Sequence, residues 1–362
     1  MDGHTYIDFC LGDTGAMFGH SAPDIAQTLR DYADQGYTAM LPTAHSAKAG
    51  AALAERFGLP YWQLATTATD ANRFALRWAR AITGRKKLLV FNGCYHGTID
   101  DVFVDLDANN PEAPPTMRAS LLGQVYDLTQ FTDVVEFNDI EAVKAKLASG
   151  EFACVLTEPA LTNCGMVLPQ PDFLRELRQA CNDTDTLLIF DETHTISAGY
   201  AGYTGICREQ DGFLPDMIIA GKAIAGGIPC AVYGMSAEVA QRAHAAKEAA
   251  PAGHSGIGTT LSGNMLTMAL LARMLRADST GLNNPSVLVL TDGRRAFCKA
   301  VHPSQNEGSA ALYRDEIRAN AALPTGLPAP RLLASTELDG WVVLLFSDVA
   351  GRQPALPWRR DE

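Results

Sequence analysis

Short apolar segments that alternate with amphipathic segments are the feature that most restricts the fold of this chain. The predicted strands are 87–91, 124–128, 133–137, 152–156, 187–190, 217–220 and 231–235, and the predicted helices among and after them are 140–148, 171–182 and 236–246. Strands that are apolar along their whole length are typical of a mainly parallel sheet with helices on both faces. The pattern therefore predicts an α/β fold, whose functional sites lie beyond the carboxyl ends of the strands.

Additional elements are predicted on both sides of this alternating region. They are a strand over 4–11, helices over 23–32, 46–58, 70–83 and 266–275, and, in the tail, a helix over 312–318 and a strand over 340–346. We expect Ser21 to cap the first of these helices, and Thr69 or Asp70 to cap the helix over 70–83. Gly58 and Gly84 are expected to end their helices, because glycine adopts the left-handed conformation at low cost.

Two strand ends carry residues that suit a particular cofactor. The segment 217–220 delivers Lys222 to a glycine-rich turn, and the segment 187–190 ends on Asp191. A lysine amine can form a Schiff base with an aldehyde, and a carboxylate can pair with a pyridinium nitrogen. Because both residues follow strands of the same predicted sheet, they indicate a site for pyridoxal 5′-phosphate.

Composition excludes several other classes of protein. The 362 residues are enough for two domains, and a formal net charge of −12 without a basic run argues against a nucleic-acid partner. The eight cysteines include no CxxC pair and the histidines show no ligand spacing, so no metal site is predicted. Free thiols, the absence of a signal-like N-terminus and the absence of a long apolar stretch predict a cytoplasmic protein with no membrane span.

Several motifs, in a fixed order along the chain, resemble those of the class III (ω-) aminotransferases, a group that includes glutamate-1-semialdehyde aminomutase. The resemblance extends from about Asp2 to about Leu275. The motifs are Asp2-Gly3 with Tyr6-Ile7-Asp8, Gly19-His20, Thr67 to Asn72, Tyr95-His96-Gly97, Glu158-Pro159 with Asn163 and Gly165, Asp191-Glu192, Gly221-Lys222 with Gly226-Gly227, and Gly258 to Asn264.

The resemblance implies a fold-type-I enzyme that depends on pyridoxal phosphate. We expect residues 1–35 to be an N-terminal part of a small domain, 36–276 the large cofactor-binding domain, and 277–362 a divergent C-terminal α+β small domain. Its relatives also imply a homodimer, because Thr260 resembles a threonine that reaches the phosphate of the neighbouring subunit. Beyond the motifs, Arg294, Arg295, Arg314, Arg318 and Arg331 are all candidates to bind a substrate carboxylate.

The resemblance also assigns a role to each candidate site residue. Lys222 would hold the cofactor and move a proton, and Asp191 would pair with the ring nitrogen. The other candidates follow in chain order: Ala68 and Thr69 in the phosphate loop, Tyr95 against one face of the ring, Glu158 ordering a loop near the ring or contacting Asn or Arg groups, Thr193 against the other face, and His194 near the phenolic oxygen. His96 is expected to help position the loop that carries Tyr95, and not to act as a base.

Three functions are compatible with these residues. The first is an aminotransferase or aminomutase that moves an amino group between an amine or amino acid and a keto acid or aldehyde. The second keeps the cofactor but catalyses elimination, racemisation or decarboxylation, because the pocket decides which bond breaks. The third is a truncated protein that binds the cofactor without turnover. The sequence identifies neither the amino donor nor the acceptor.

Overall fold

The structure is a computed structural model that describes residues 10–37, 41–107, 110, 113–279, 286–289, 295–301, 307–322, 331–338 and 340–347. The chain divides into two compact units, Met1–Leu275 and Arg276–Glu362. The helices are α1 Pro23–Tyr32, α2 Ala44–Phe57, α3 Ala68–Thr83, α4 Ile140–Leu147, α5 Phe173–Asp183, α6 Gly202–Gln210, α7 Ala237–Ala249, α8 Met265–Ser279 and α9 Glu307–Ala322. Short 3-10 turns cover Asp100–Val102, Leu128–Gln130, Thr195–Ala198 and Lys222–Ala225.

The strands form one large sheet and two smaller ones. They are β1 Tyr61–Ala65, β2 Lys87–Phe91, β3 Val104–Asp105, β4 Thr116–Met117, β5 Thr132–Val135, β6 Phe152–Thr157, β7 Leu187–Asp191, β8 Met217–Ala220, β9 Ala231–Met235, β10 Ser286–Val289, β11 Arg295–Val301, β12 Leu332–Leu338 and β13 Trp341–Ser347. The large sheet has the order β1-β9-β8-β7-β6-β2-β5. Its strands β5, β2, β6, β7 and β8 are parallel, while β9 is antiparallel to both of its neighbours. The predicted mainly parallel sheet is confirmed.

Both faces of this sheet are covered, as the continuous apolar strands predict. In β7, Ile189 packs on one face in a cluster with Phe74 of α3. The next residue, Phe190, packs on the opposite face in a cluster with Leu177 of α5. Successive residues of a strand point to opposite sides, so a strand that is buried on both sides is apolar along most of its length. All five residues of β7 are buried, which places its last residue, Asp191, in the interior.

The helix ends agree only partly with the sequence-based expectations. Gly58 and Gly84 end α2 and α3 in the left-handed conformation, as predicted. The predicted caps of α1 and α3 are wrong. The residue before α1 is Ala22 rather than Ser21, and its side chain makes no capping hydrogen bond. Helix α3 begins earlier than expected because the Thr67 side chain accepts a hydrogen bond from the Asp70 amide.

The remaining differences concern short or weakly patterned segments. The predicted strand over 124–128 is wrong: the segment is irregular, and Val125 is 87% exposed. Its apolar residues have no sheet neighbour to pack against, and only Leu128 is buried. The sequence missed β1 and α6, and it missed β10, β11 and β12 in the second unit. Of the predicted strand over 4–11, residues 4–9 lie outside the described residues, and the other two are in a turn.

The second unit contains an antiparallel sheet of order β10-β11-β13-β12 and helix α9. The predicted helix over 312–318 lies within α9, and the predicted strand over 340–346 corresponds to β13. Two of the candidate arginines are paired here, Arg314 with Glu337 and Arg318 with Asp315. Arg294 lies outside the described residues. The division into 1–35, 36–276 and 277–362 stays a prediction.

Two wider features of the described part of the chain bear on function. Its helices include none that combines the length and the apolar character needed to cross a membrane. Within the same residues, no three side chains of the histidine, cysteine, aspartate or glutamate type come together in a way that would hold a metal ion.

Candidate active site

Three adjacent strands of the large sheet carry polar residues at their carboxyl ends. Glu158 follows β6, Asp191 is the last residue of β7, and Lys222 comes two residues after β8. These strands are parallel neighbours, so their carboxyl ends share one edge of the sheet. The chain thereby brings an amine and two carboxyl groups to the position where parallel sheets place their sites.

A cavity of about 350 Å³ opens at this edge. Of the nine residues proposed from sequence, all but Thr260 line it: Ala68, Thr69, Tyr95, Glu158, Asp191, Thr193, His194 and Lys222. Thr260 is exposed and does not line the cavity of its own chain. The expectation for Thr260 concerned a neighbouring subunit, so it stays a prediction.

The turn after β8 holds Lys222 in an unusual backbone conformation. Its φ of 51° lies in the left-handed region, which a residue with a side chain occupies at a cost. The Nζ atom lies 2.8 Å from Asp13 Oδ2 and 2.8 Å from His194 Nε2. The preceding Gly221 fits closely, because a Cβ at that position would be 3.0 Å from the Ala68 Cβ. The turn therefore places the amine between an anion and an imidazole.

His194 is arranged to accept a hydrogen bond from this amine. Burial, together with the positive charge of Lys222, lowers the pKa of His194, so the ring is neutral near pH 7. Its Nδ1 is 3.2 Å from Thr14 Oγ1, and the Thr14 hydroxyl donates to the Asp13 carbonyl at 2.7 Å. The ring therefore carries its proton on Nδ1, donates to Thr14, and presents the Nε2 lone pair to Lys222.

Asp13 is a residue of the site that sequence reasoning missed. It lies in a turn near the start of the described chain, with a φ of 53°, and its side chain is 81% exposed. The hydrogen bond from Lys222 lowers the pKa of Asp13, so the carboxylate stays anionic. A glycine-rich turn around Gly12 and Gly15 was visible in the sequence, but nothing in it indicated contact with a lysine 209 residues away.

The carboxylate of Asp191 is the most extensively bonded group of the site. Its Oδ2 accepts from His96 Nδ1 and Asn72 Nδ2, both at 2.9 Å. Its Oδ1 accepts from the Thr193 amide at 3.0 Å and from the Thr193 hydroxyl at 2.5 Å. Burial acts to raise the pKa of Asp191, but the bonds from His96, Thr193 and Asn72 outweigh it and hold that pKa below its usual value. Asp191 is therefore a buried anion.

His96 provides the positive charge that balances this anion. It is fully buried, and burial acts to lower its pKa, but the hydrogen bond to Asp191 raises the pKa of His96 to about 10. Sequence reasoning gave His96 only a loop-positioning role, and it gave Asn72 none. Both residues belong to motifs noted in the sequence, but the contacts with Asp191 depend on how α3 and β7 pack.

The raised pKa of His96 predicts a pH-dependent stability. A histidine whose folded pKa lies above its unfolded value of about 6.5 stabilises the protein fully below that pH, and the contribution is lost as the pH rises through about 10. We expect the free energy of unfolding to fall by a few kcal/mol, in order of magnitude, over that window. Denaturant titrations at a series of pH values measure it.

The matched variants for this measurement are His96→Gln and His254→Gln. His254 is exposed, so its replacement should leave the pH dependence of unfolding unchanged. Replacement of His96 should flatten the decrease above pH 6.5. A His96→Gln protein with the same pH dependence as the unchanged protein would contradict a buried imidazolium at this position.

The N-terminus of α3 forms another wall of the cavity, to which Thr67, Ala68 and Thr69 contribute. The first amides of a helix have no partner within the helix, and they carry partial positive charge that favours an anion. The Thr69 hydroxyl accepts from the Thr98 amide at 3.2 Å. Gly97 is needed beside it, because a Cβ there would collide with the Thr69 side chain.

Tyr95 and Glu158 also line the cavity. Tyr95 is 38% exposed, which leaves its ring available to a molecule in the cavity. Glu158 is buried, and its carboxyl group accepts hydrogen bonds from the amide and the hydroxyl of Thr162. Burial raises the pKa of Glu158 above its usual value. Its contacts are with the loop that follows β6, and the role expected of it beside the ring stays a prediction.

Comparison with known proteins places this arrangement in a family. The family model described as "Aminotransferase class-III" matches residues 1–282. The chain belongs to the class III aminotransferases. It is 34% identical over 286 residues to a glutamate-1-semialdehyde 2,1-aminomutase of Roseiflexus castenholzii, a match that covers 76% of this chain and 62% of the relative.

Solved structures of this family show the same architecture. A glutamate-1-semialdehyde-aminomutase from Pseudomonas aeruginosa PAO1 is 42% identical, with a TM-score of 0.72 over 88% of this chain and 66% of the relative. Another structure of such an aminomutase from that organism, in complex with PMP, is 41% identical, with a TM-score of 0.73 and the same coverage. This class III chain thus spans less than two thirds of the length of these relatives.

The site of this class III chain has the groups that pyridoxal phosphate requires. Lys222 offers an amine at the cavity, and Asp191 offers a buried carboxylate that stays anionic. The amides at the start of α3 suit a phosphate, and Tyr95 offers an aromatic surface for a ring. The Lys222 amine therefore suits an electrophilic carbonyl, the Asp191 carboxylate suits a basic ring nitrogen, and the first amides of α3 suit a phosphate.

Another motif residue, Glu192, serves the fold rather than the cavity. It is fully buried and does not line the cavity, and burial raises its pKa. Its carboxyl group accepts hydrogen bonds from the Tyr203 and Thr204 amides and from the Thr195 and Thr204 hydroxyls. Glu192 therefore fixes the first turn of α6 to the end of β7, beside Asp191.

Proposed function

We propose that this chain binds pyridoxal phosphate in the cavity and transfers an amino group between an amine or amino acid and a keto acid or aldehyde. The observation that carries the proposal is the convergence of the Lys222 amine and the anionic Asp191 carboxylate on a single cavity at the sheet edge. Membership of the class III aminotransferases supports it. The aminomutase names of its relatives make transfer within a single substrate molecule part of the same proposal.

Each lining residue then has a role in binding. Lys222 holds the cofactor through its Nζ, and Asp191 pairs with the ring nitrogen. The first turn of α3, with Ala68 and Thr69, binds the phosphate. Tyr95 and Thr193 contact the two ring faces. His194 lies near the phenolic oxygen, and Glu158 orders the adjoining loop. These assignments are supported by the common lining of the cavity.

Proton movement in this site depends on the Lys222 amine. When bound, pyridoxal phosphate supplies an electron sink for the bonds at the substrate carbon next to the nitrogen. In amino transfer, Lys222 Nζ would take the proton from that carbon and deliver it to the carbon that was the aldehyde of the cofactor. The neutral Nε2 of His194, 2.8 Å from Nζ, accepts a hydrogen bond from the Lys222 amine and so helps to orient it. Asp13 orients Nζ from the solvent side.

Absorption spectroscopy of the purified protein tests the proposed function. We expect visible absorbance from bound pyridoxal phosphate, its loss on addition of an amino donor, and its return on addition of a keto acid. That cycle is the signature of amino transfer in two half-reactions. Release of ammonia by the donor alone would favour elimination instead. Uptake of the cofactor with no response to any donor would favour a non-catalytic protein.

A homodimer is the expected assembly. Thr260 is exposed and lies away from the cavity of its own chain, as expected of a residue that reaches a neighbouring site. The exposed apolar residues Leu122 and Val125 offer a surface for such a contact. Sedimentation analysis tests this, because the dimer has twice the 38.8 kDa mass of the chain.

A cytoplasmic location belongs to the same proposal, supported by eight free cysteines.

A further inference from the structure

The hydrogen bonds to Asp191 leave its carboxylate without spare acceptor positions. A carboxylate offers about four lone-pair sites. The Thr193 amide and hydroxyl donate to Oδ1, and Asn72 and His96 donate to Oδ2. All four donors come from the chain itself, at distances between 2.5 and 3.0 Å. A ring nitrogen that pairs with Asp191 must therefore displace one of them.

The Thr193 hydroxyl is the donor that can be displaced at the lowest cost. The amide of the same residue is fixed by the backbone. Asn72 and His96 are both fully buried and do not line the cavity. His96 is also the cation that balances Asp191. Thr193 lines the cavity, and rotation about one side-chain bond moves its hydroxyl away from Oδ1.

We propose that the Thr193 hydroxyl competes with the ring nitrogen of pyridoxal phosphate for the Asp191 carboxylate. The proposal rests on the proposed function and deepens it. It gives Thr193 two separable effects: its methyl group contacts the ring, which favours binding, while its hydroxyl opposes the pairing of Asp191 with the nitrogen. The hydroxyl thereby sets the cofactor affinity below the value that the cavity would otherwise reach.

The competition predicts that removal of the Thr193 hydroxyl increases the affinity for the cofactor, whereas removal of a group that binds the cofactor would decrease it. Thr193→Val keeps the methyl group and the volume but removes the hydroxyl, so we expect it to bind pyridoxal phosphate about tenfold more tightly. The protein without cofactor should melt about 3 °C lower, because Asp191 has lost a donor there. Fluorescence titration measures the affinity, and thermal unfolding without cofactor measures the second effect. Thr193→Ser keeps the hydroxyl but loses the methyl contact with the ring, so it should bind the cofactor less tightly than the unchanged protein.

A second pair of variants separates the effect of the hydroxyl from any effect that replacement of Thr193 has on folding. Thr193→Ala and Thr193→Ser differ by one oxygen atom, so the alanine variant should bind the cofactor more tightly than the serine variant. The difference should disappear with a cofactor analogue in which a C–H group replaces the ring nitrogen, since nothing then competes for Asp191.

Two outcomes would overturn the proposal about Thr193. One is a valine or alanine variant that binds the cofactor no more tightly than the matched protein with a hydroxyl. The other is a gain in affinity that persists with the analogue. Both leave cofactor binding by the unchanged protein intact, so they do not affect the proposed function. An unchanged protein that takes up no pyridoxal phosphate would contradict both proposals.

Discussion

Lys222→Ala is expected to abolish turnover and the covalent attachment of pyridoxal phosphate while leaving the fold intact. Both roles proposed for this residue, holding the cofactor and moving the substrate proton, need the Nζ atom. The cost in stability should be small, because the partner carboxylate of Asp13 is 81% exposed and an ion pair at the surface contributes little. Treatment with borohydride followed by mass spectrometry measures attachment, and circular dichroism measures the fold.

The matched control is Lys247→Ala, on the exposed side of α7. Lys247 is exposed and does not line the cavity, so its replacement should change neither attachment nor turnover. If the Lys222→Ala protein retained activity, or if the cofactor were attached to a different lysine, the assignment of the site would be wrong.

Asp191→Asn is expected to lower the rate of amino transfer by about 10²-fold or more. An amide cannot hold a proton on the ring nitrogen as an anion does, so the ring becomes a weaker electron sink. The change also removes the counter-charge of His96 in the interior, which disfavours the imidazolium. Single-turnover spectroscopy with an amino donor measures the rate, and the affinity for the cofactor should fall as well.

Asp183→Asn supplies the control for this measurement. Asp183 is the last residue of α5 and is exposed, so we expect the rate of amino transfer to stay unchanged. A rate for Asp191→Asn within twofold of that of the unchanged protein would mean that Asp191 does not pair with the ring nitrogen. In that case another acceptor would have to supply the anion.

The parts of the site that could be predicted from sequence are those located at the ends of strongly apolar strands. Asp191 ends β7 and Lys222 follows β8, and the residues of both strands are all buried. The period and the length of the apolar runs therefore located both residues. The strand over 124–128 was predicted by the same criterion and is wrong. Its apolar residues are few and have no adjacent strand, and Val125 is 87% exposed.

The partners of these residues could not be predicted in the same way. Asp13 contacts Lys222 across 209 residues of sequence, and Asn72 contacts Asp191 across 119. Both contacts join elements whose separation depends on the packing of helices on the sheet. The N-terminus of α3 is an intermediate case: its motif was visible, but the capping residue proved to be Thr67 because hydroxyl geometry decides the first turn.

The sequence by itself determined the mainly parallel sheet, the two strand ends that carry Lys222 and Asp191, and the chemistry that an amine and a carboxylate can supply there. Hydrophobic periodicity reports which positions are buried, and burial is what fixes a strand in such a sheet. Only the tertiary structure decided the state of these groups. Contacts with His96 and Thr193 keep Asp191 anionic. Asp13 and His194 hold the Lys222 amine. These contacts of about 3 Å join segments that are remote in sequence, so they form only when the helices pack on the sheet.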